Sequence, residues 1–229
     1  MKPSALVVAA HPDDEVLGCG GTMARMAAQG WDVHVLILAE GETSRLPSRD
    51  RSAKLVELSA LAAAAQRAGE ILGARSVTLE DWPDNRMDSF ELLDVIKRLE
   101  REIERVRPQR LLTHHVGDVN VDHRTLHEAI AAACRPLPGT ALRELLFFEV
   151  ASSTEWRAAQ SAPPFQPNLF VDISAFWDQK RRALEAYASE MRPFPHPRSV
   201  QAVEHLARWR GASAGVEAAE AFVIGRRIE

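Results

Sequence analysis

The amino-acid sequence predicts an α/β fold in which helices cover both faces of a mainly parallel sheet. Two observations support this prediction: several apolar runs are continuous rather than alternating, and stretches of helical composition separate them. A continuous apolar run is typical of a strand that is buried on both faces. Strands that alternate with helices form right-handed βαβ units. The length of 229 residues suits one domain, which we expect to span residues 1–229.

Six strands are predicted from apolar runs of two kinds. The three continuous runs cover residues 5–10, 33–39 and 145–150. The three shorter runs cover residues 76–79, 110–113 and 169–173.

Helices are predicted between and after these strands. The first ends at Gly30 and the second at Gly73, because glycine commonly follows the last turn of a helix. The third begins at Ser89 and stops before Pro108. In chain order the predicted helices cover residues 22–29, 52–72, 89–106, 122–134, 174–191 and 199–210.

The composition is that of a protein with an ordinary core. Hydrophobic residues make up 46% and charged residues 26%, and the net charge of −4 lacks the basic surplus of nucleic-acid-binding proteins. Cys19 and Cys134 are too few for a disulfide framework and are expected to be buried, reduced thiols. No apolar stretch approaches the ~18–20 residues that span a bilayer. We therefore expect a cytoplasmic protein with neither nucleic-acid nor membrane partners.

Metal-ligating and acidic side chains follow the first predicted strand. The segment His11-Pro12-Asp13-Asp14-Glu15 comes directly after this strand. Glu40 follows the second strand, and His115 follows the strand at residues 110–113. In open parallel sheets, ligands bind outside the carboxyl ends of the strands. We therefore expect these side chains to share one edge of the sheet.

Three of these side chains suit a metal ion. His11 and Asp14 are three residues apart, and a strand-to-helix turn can bring both onto one ion. Catalytic zinc typically has three protein ligands and one water, and we assign the third position to His123 at the start of a predicted helix. The preceding Asp122 can cap that helix or orient an imidazole. Such a ligand set also binds Fe²⁺ or other divalent ions.

Asp13 is left free for proton transfer, because neighbouring side chains point in different directions. A metal lowers the pKa of the water that it binds to about 7, and Asp13 can then act as the general base. Glu15 is expected to support the turn that carries the ligands.

A nucleotide-binding module without catalytic activity is an alternative interpretation. The turn Gly18-Cys19-Gly20-Gly21 resembles the start of the dinucleotide-binding fingerprint G-x-G-x-x-G, and Glu40 follows the second strand. However, Met23 occupies the position of the third glycine. The fingerprint is therefore incomplete.

Two segments carry motifs of a known family. They are Ala10-His11-Pro12-Asp13-Asp14-Glu15, with its glycine turn, and Asp118-x-Asn120-x-Asp122-His123-Arg124. Weaker similarities occur at residues 71–73, 83–86 and 220–222. In these motifs the chain resembles the LmbE-like, PIG-L-type family of zinc-dependent N-acetylglucosaminyl deacetylases.

The resemblance implies a fold, a cofactor and an activity. The fold would be a Rossmann-like three-layer sandwich, with Zn²⁺ held by His11, Asp14 and His123 and with Asp13 as the base. The reaction would remove the acetyl group from a small-molecule N-acetylated amino sugar, free or nucleotide-linked, in surface-polysaccharide biosynthesis. The protein would form a homo-oligomer. A metalloenzyme of the same architecture that acts on a thiol conjugate or another amide is the nearest alternative.

The chain departs from the family pattern at Asn120. Many members carry His-Pro-Asp-His in the second motif, where the first histidine stabilises an oxyanion or shuttles a proton. Asn120 can donate a hydrogen bond but cannot titrate. We assign oxyanion stabilisation to His115 or Asn120, and proton transfer to Asp13, His115 or His196.

Basic side chains are assigned to the remainder of the substrate. A guanidinium makes bidentate contacts with phosphate or hydroxyl groups. The predicted substrate-binding residues are Arg86, Arg124, His196 and Arg198.

Overall fold

The computed structural model describes residues 2–229 and contains one sheet. Its strands are β1 Ser4–Ala9, β2 Asp32–Ala39, β3 Ser76–Trp82, β4 Arg110–His114, β5 Glu144–Phe148, β6 Leu169–Asp172 and β7 Ala219–Arg227. The spatial order is β3-β2-β1-β4-β5-β7-β6. The first six strands correspond to the predicted ones, whereas β7 has no counterpart among them.

The helices alternate with the strands as expected. They are α1 Asp14–Ala28, α2 Leu55–Leu72, α3 Leu92–Val106, α4 Val121–Ala133, α5 Trp177–Ala186 and α6 Val200–Ala214. The largest differences in helix boundaries occur in three helices: α1 begins before its glycine cluster instead of after it, α5 ends at Ala186 instead of residue 191, and α6 continues to Ala214 instead of ending near residue 210. Within residues 2–229, none of the helices is long and apolar enough to cross a membrane.

The strand order creates a crevice at one edge of the sheet. Strands β1 to β5 pair in parallel, and β7 is antiparallel to both β5 and β6. Because β1 lies between β2 and β4, the chain turns to opposite sides of β1 in its two halves. Ligand sites of α/β proteins form at such a reversal, outside the carboxyl ends of the strands.

Helices cover both faces of the sheet, so the predicted three-layer sandwich is confirmed. On one face, Ala5, Val7 and Ala9 of β1 belong to the cluster formed with α1, α2 and α5. On the other face, Leu6 and Val8 pack with α3 and α4. All five side chains are fully buried. Burial on both faces explains why β1 is continuously apolar.

Strand β7 is hard to recognise because its sequence is mixed. Glu220 interrupts its apolar first half, and Gly225, Arg226 and Arg227 end it. Gly225 is needed for packing, since a Cβ at this position would lie 2.5 Å from Cε2 of Phe147. The strand therefore has neither a continuous apolar run nor a regular alternation.

Candidate metal centre and active site

The site lies where β1 and β4 end and where α1 and α4 begin. Asp13 precedes α1 with a φ of 109°, a conformation that is uncommon for residues other than glycine. After this turn Asp14 Oδ2 accepts a hydrogen bond from the His11 N–H at 2.9 Å. Asn120 caps α4 by accepting a hydrogen bond from the Asp122 N–H at 2.8 Å. These two turns hold the side chains of the two motifs against each other.

The three predicted metal ligands, His11, Asp14 and His123, come together at this edge. Asp14 Oδ2 lies 3.3 Å from His11 Nδ1 and 3.1 Å from His123 Nε2, and the two nitrogens are 3.4 Å apart. Zinc bonds of ~2.0–2.2 Å at tetrahedral angles separate two ligand atoms by roughly 3.3–3.6 Å. The donor atoms are therefore spaced like three ligands on one face of a tetrahedron, and their chemistry suits zinc.

Each imidazole is oriented by a carboxylate on its other nitrogen. Asp122 Oδ2 lies 3.0 Å from His11 Nε2, and Asp118 Oδ2 lies 3.1 Å from His123 Nδ1. Asp118 in turn accepts hydrogen bonds from the hydroxyls of Ser153 and Thr154. Carboxylates in this position fix the tautomer and orientation of a metal-ligating histidine. Asp118 is thus a supporting residue that the sequence interpretation did not assign, although it begins the second motif.

A second group of donors shares His11. Asp84 Oδ1 lies 3.3 Å from His11 Nε2, on the same side as Asp122. However, both oxygens of Asp122 accept backbone hydrogen bonds, from the N–H groups of Asn85 and Met87 at 2.8 Å each. These bonds define Asp122 as a support for His11, so the group with Asp14 and His123 is the better metal position.

The charges in the ligand group stabilise one another. Burial opposes the charged imidazolium of His123, but Asp14 and Asp118 outweigh it and raise the pKa to about 9. Burial likewise opposes protonation of His11, yet its carboxylate neighbours raise the pKa well above the usual value. Although burial disfavours the carboxylate of Asp14, the two imidazoles hold its pKa well below the usual range. The carboxylates therefore favour positive charge at this position.

His114 lies against this group but stays neutral. Its ring stacks on that of His123 with a centroid separation of 3.9 Å. Its Nε2 accepts a hydrogen bond from the Ala10 N–H at 2.9 Å. Burial and the charge on His123 lower the pKa of His114 well below its usual value. The residue is a structural neighbour of the site.

Asp13 is a buried carboxyl group beside the metal position. Its Oδ2 has no hydrogen-bond partner within residues 2–229, although Arg198 Nη1 lies 3.2 Å away in a poorly aligned ion pair. Burial raises the pKa of Asp13 well above its usual value, and Arg198 only partly offsets this effect. A carboxyl group in this environment holds a proton more readily than one in water.

Glu15 supports the turn that carries Asp13. It accepts hydrogen bonds from the Tyr187 hydroxyl at 2.6 Å and from the Asp13 N–H at 3.1 Å. Burial raises the pKa of Glu15 to about 7, against the effect of these hydrogen bonds. These contacts agree with the structural role expected for it.

A cavity of about 310 Å³ opens above the ligand group, and acidic residues outnumber arginines in its wall. Arg45 pairs with Glu42 and, at 2.8 Å, with Glu190. Arg198 lies 3.7 Å from Glu190 in addition to its contact with Asp13. Both arginines are therefore already neutralised. The remaining polar or aromatic wall residues include Ser44, Asp84, Asn85, Asn120, Ser152, Ser153 and Trp156.

The structure brings only some of the predicted substrate-side residues to this cavity. Asn120 and Arg198 line it, whereas His115, Arg86, Arg124 and His196 do not. The four outlying residues have other surroundings. His115 Nε2 faces the Pro163 carbonyl at 3.1 Å, and Arg124 donates to the Asp118 carbonyl at 3.0 Å.

The other two outlying residues are also placed away from the ligand group. Arg86 is exposed. His196 accepts a hydrogen bond from the Arg198 N–H at 3.0 Å and packs edge-on against Trp156, so it stands behind the cavity wall.

Several cavity residues escaped the sequence interpretation. Glu42, Arg45 and Glu190 come from loops that belong to neither motif. Asp84 lies within the weaker family similarity at residues 83–86. Only this similarity could have identified Asp84 from the sequence.

Comparison with known proteins gives one family and several relatives that match most of the chain. The family model described as GlcNAc-PI de-N-acetylase, PIG-L, matches residues 6–134. The 4-oxalmesaconate hydratase of Pseudomonas putida is 34% identical over 204 residues, covering 82% of this chain and 74% of the relative. The 1D-myo-inositol 2-acetamido-2-deoxy-alpha-D-glucopyranoside deacetylase of Rhodococcus jostii is 28% identical, covering 91% of this chain and 92% of the relative.

A solved structure matches the whole fold. The crystal structure of GalB, the 4-carboxy-2-hydroxymuconate hydratase of Pseudomonas putida KT2440, superposes with a TM-score of 0.74. The alignment covers 100% of this chain and 98% of that chain at 29% identity. The relatives thus include both a deacetylase and a hydratase.

Proposed function

The chain belongs to the PIG-L family, and on that premise we propose that it is a zinc-dependent N-deacetylase of an N-acetylated amino sugar or its conjugate. The observation that carries the proposal is the ligand group of His11, Asp14 and His123 with the buried carboxyl of Asp13 beside it, whose Oδ2 accepts no hydrogen bond within residues 2–229. Zinc in such a group polarises a carbonyl oxygen and lowers the pKa of water to about 7. This combination suits hydrolysis better than nucleotide binding without catalysis.

Asp13 has the properties of the proton carrier. As general base it takes a proton from the attacking water, and it later delivers that proton to the nitrogen of the leaving amine. Its raised pKa favours the protonated state between the two steps. Its contact with Arg198 holds the carboxyl group in place without using it as a hydrogen-bond acceptor.

Asn120 is the better of the two predicted oxyanion donors. Its Oδ1 is occupied by the Asp122 N–H, and its Nδ2 donates to Asn85 Oδ1 at 2.7 Å. An amide nitrogen carries two hydrogens, so one remains for an oxyanion in the cavity. One such donor typically contributes about 10²–10³ in rate. His115 is less suited because it lies outside the cavity wall.

The charge of the cavity favours an uncharged polyol as substrate. Asp84, Glu42 and Glu190 can accept hydrogen bonds from sugar hydroxyls. Arg45 and Arg198 are already paired with carboxylates, so the wall offers little to a phosphate or a carboxylate. A nucleotide-linked sugar therefore suits this cavity less well than an uncharged sugar. The surface-polysaccharide role, cytoplasmic location and homo-oligomeric state stay predictions.

A hydratase is the second candidate function. It is favoured by the 34% identity to the Pseudomonas putida 4-oxalmesaconate hydratase. Addition of water to a double bond would use the same base and metal position. A substrate with several carboxylates, however, would have to displace Glu190 or Asp13 from the two arginines. Hydrolysis of another amide, such as a thiol conjugate, requires no such rearrangement and remains the nearer alternative.

One experiment separates these functions. The zinc-loaded protein is incubated with N-acetylated sugars, UDP-N-acetylglucosamine, N-acylated thiol conjugates and 4-oxalmesaconate, and acetate, free amine and ultraviolet absorbance are measured. We expect acetate from uncharged N-acetyl sugars, and none from the metal-free protein. Loss of absorbance of 4-oxalmesaconate without acetate release from any sugar would establish the hydratase instead.

A further inference from the structure

Helix α1 contains a break that separates the reactive turn from the rest of the helix. Cys19 has non-helical angles, φ −149° and ψ 22°, between two helical parts. The first part carries Asp14 and follows Asp13, and the second continues to Ala28. A helix break leaves backbone N–H and C=O groups without their usual partners, as helix ends do. In the interior such groups need other hydrogen bonds.

Two charged side chains from distant elements satisfy these groups. Lys180 of α5 donates from Nζ to the Leu17 carbonyl at 2.9 Å, before the break. Glu220 of β7 accepts from the N–H groups of Gly21 at 2.9 Å and Thr22 at 2.7 Å, after the break. Lys180 Nζ and Glu220 Oε1 are 2.6 Å apart. We call this ion pair the helix bridge.

The helix bridge is buried and lies away from the cavity above the metal ligands. Lys180 is 2% exposed and Glu220 is 5% exposed. Neither residue lines the cavity above the metal ligands. A buried ion pair is weak evidence for stability, because desolvation offsets its attraction. Its hydrogen bonds do, however, dictate the relative placement of the two parts of α1.

The packing of α1 explains why the reactive turn needs this bridge. A Cβ at Gly18 would collide with the Phe148 ring, and a Cβ at Gly21 would lie 2.8 Å from Ile173 Cδ1. Glycines thus let the broken helix approach the sheet closely, but they contribute no side chains that could hold it. The bridge supplies the missing contacts from α5 and β7.

We propose that Lys180 and Glu220 are positioning residues, which hold the turn with Asp13 and Asp14 at the distance that the metal requires. This inference rests on the metal site of the proposed function. Glu220 belongs to β7, the last strand in the chain. The position of the turn therefore depends on a strand that lies about 200 residues further along the sequence. The weak family similarity at residues 220–222 thereby gains a physical role.

The test compares the helix bridge with an ion pair at the opposite edge of the sheet. The variant K180M/E220Q removes both charges together, which avoids leaving one buried charge unpaired. The control R110M/E144Q removes the Arg110–Glu144 pair at the start of β4 and β5. The readouts are zinc affinity, the visible absorption of the Co²⁺-loaded protein, and hydrogen exchange of residues 14–18 without metal.

We expect K180M/E220Q to lose about 10-fold or more in zinc affinity, as is typical when a residue supporting a ligand is removed. The absorption spectrum of its Co²⁺-loaded form should change, and hydrogen exchange of residues 14–18 should become faster. The control should keep the wild-type zinc affinity, spectrum and exchange rates. If this double variant does not fold, K180Q/E220Q carries the same test, because it also removes both charges together and keeps polar groups at both positions. Wild-type zinc affinity and exchange in a folded bridge variant would overturn the proposal.

The result is independent of which reaction the enzyme catalyses. If no acetylated sugar is hydrolysed, the proposed deacetylase function fails, while the zinc affinity and the spectrum still report on the bridge. If the wild-type protein binds neither zinc nor Co²⁺, the hydrogen-exchange rates of residues 14–18 still test the proposal. A rate that is higher in the bridge variant than in the wild type supports a positioning role, and equal rates overturn it.

Discussion

At the level of single residues, the site combines tightly supported ligands with one carboxyl group that is not hydrogen-bonded. Asp118 and Asp122 hold the two imidazoles, and Asp14 joins them. Asp13 is strained at a φ of 109° and buried without a hydrogen-bond partner within residues 2–229. Strained backbone of this kind costs free energy and persists where the surrounding structure enforces it. The proposed division of labour between Asp13 and the metal ligands rests on this contrast.

Asp13→Asn should keep the metal and lose turnover. The amide has nearly the same shape as the carboxyl group but cannot accept a proton, so we expect a loss of about 10²–10⁴ in kcat. Zinc content and turnover of the purified variant are the measurements. His123→Ala is the variant for comparison, because it removes a metal ligand. It should weaken zinc binding by more than the 10–100-fold that is typical when a residue hydrogen-bonded to a ligand is removed. Turnover retained by Asp13→Asn would remove it from the role of base.

Metal binding should release protons at neutral pH. The pKa of His123 is about 9 without metal, so the imidazole is protonated at pH 7 and must lose its proton to bind the ion. Zinc affinity should therefore rise with pH up to about 9 and level off above it. The raised pKa of His11 adds to the effect. Titration calorimetry in buffers of different ionisation enthalpy measures the release; an enthalpy independent of buffer would contradict the prediction.

The ligands could be predicted from the sequence, but part of their surroundings could not. His11 and Asp14 are close in the chain, and a strand followed by a turn almost fixes their separation. The contacts of Arg198 with Asp13 and Glu190 join three segments that are distant in sequence. No local pattern encodes such contacts, which is why Arg198 was assigned to the substrate.

At the level of elements, the glycines of α1 determine how closely the reactive turn approaches the sheet. The sequence pattern indicated a loop at residues 18–21, because glycine disfavours helices. The structure instead continues α1 through these residues with a break at Cys19, and glycines are required because Phe148 and Ile173 occupy the space that side chains would need. Tertiary packing therefore overrides local propensity in this segment.

Gly21→Ala should destabilise the protein more than Gly20→Ala. A Cβ at Gly21 would lie 2.8 Å from Ile173, and overpacking of this kind typically costs about 1–3 kcal/mol. A Cβ at Gly20 would lie 3.1 Å from Val16 Cγ1 at the closest. There the gain in helix propensity, about 1 kcal/mol, offsets most of the strain. Free energies of unfolding in urea measure both; equal losses would contradict the packing argument.

At the level of the whole molecule, the sheet gathers the site from segments spread over most of the chain. The ligands follow β1 and β4, the cavity wall includes Glu190 and Arg198, and β7 supplies Glu220. A ligand that binds such a site stabilises the folded state as a whole, because the unfolded chain offers no equivalent group of donors.

Zinc should therefore raise the Tm. At a free concentration 100 times the Kd, the expected stabilisation is about 2.7 kcal/mol. For a chain of this length that corresponds to roughly 5–10 °C. Thermal unfolding is measured after dialysis against a chelator and again after zinc is added. His123→Ala should show a much smaller rise, and a wild-type Tm that does not respond to zinc would argue against a metal ion at this site.

The sequence by itself determined the α/β class and six of the strands, and it singled out the three candidate ligands and Asp13. These features depend on periodicity and on short spacings, which the local chain enforces. Only the tertiary structure decided the supporting role of Asp118, the acidic wall of the cavity, the place of Arg198 and the bridge across α1. Each of these depends on contacts between segments far apart in sequence, and such contacts exist only after the sheet has brought its edges and loops together.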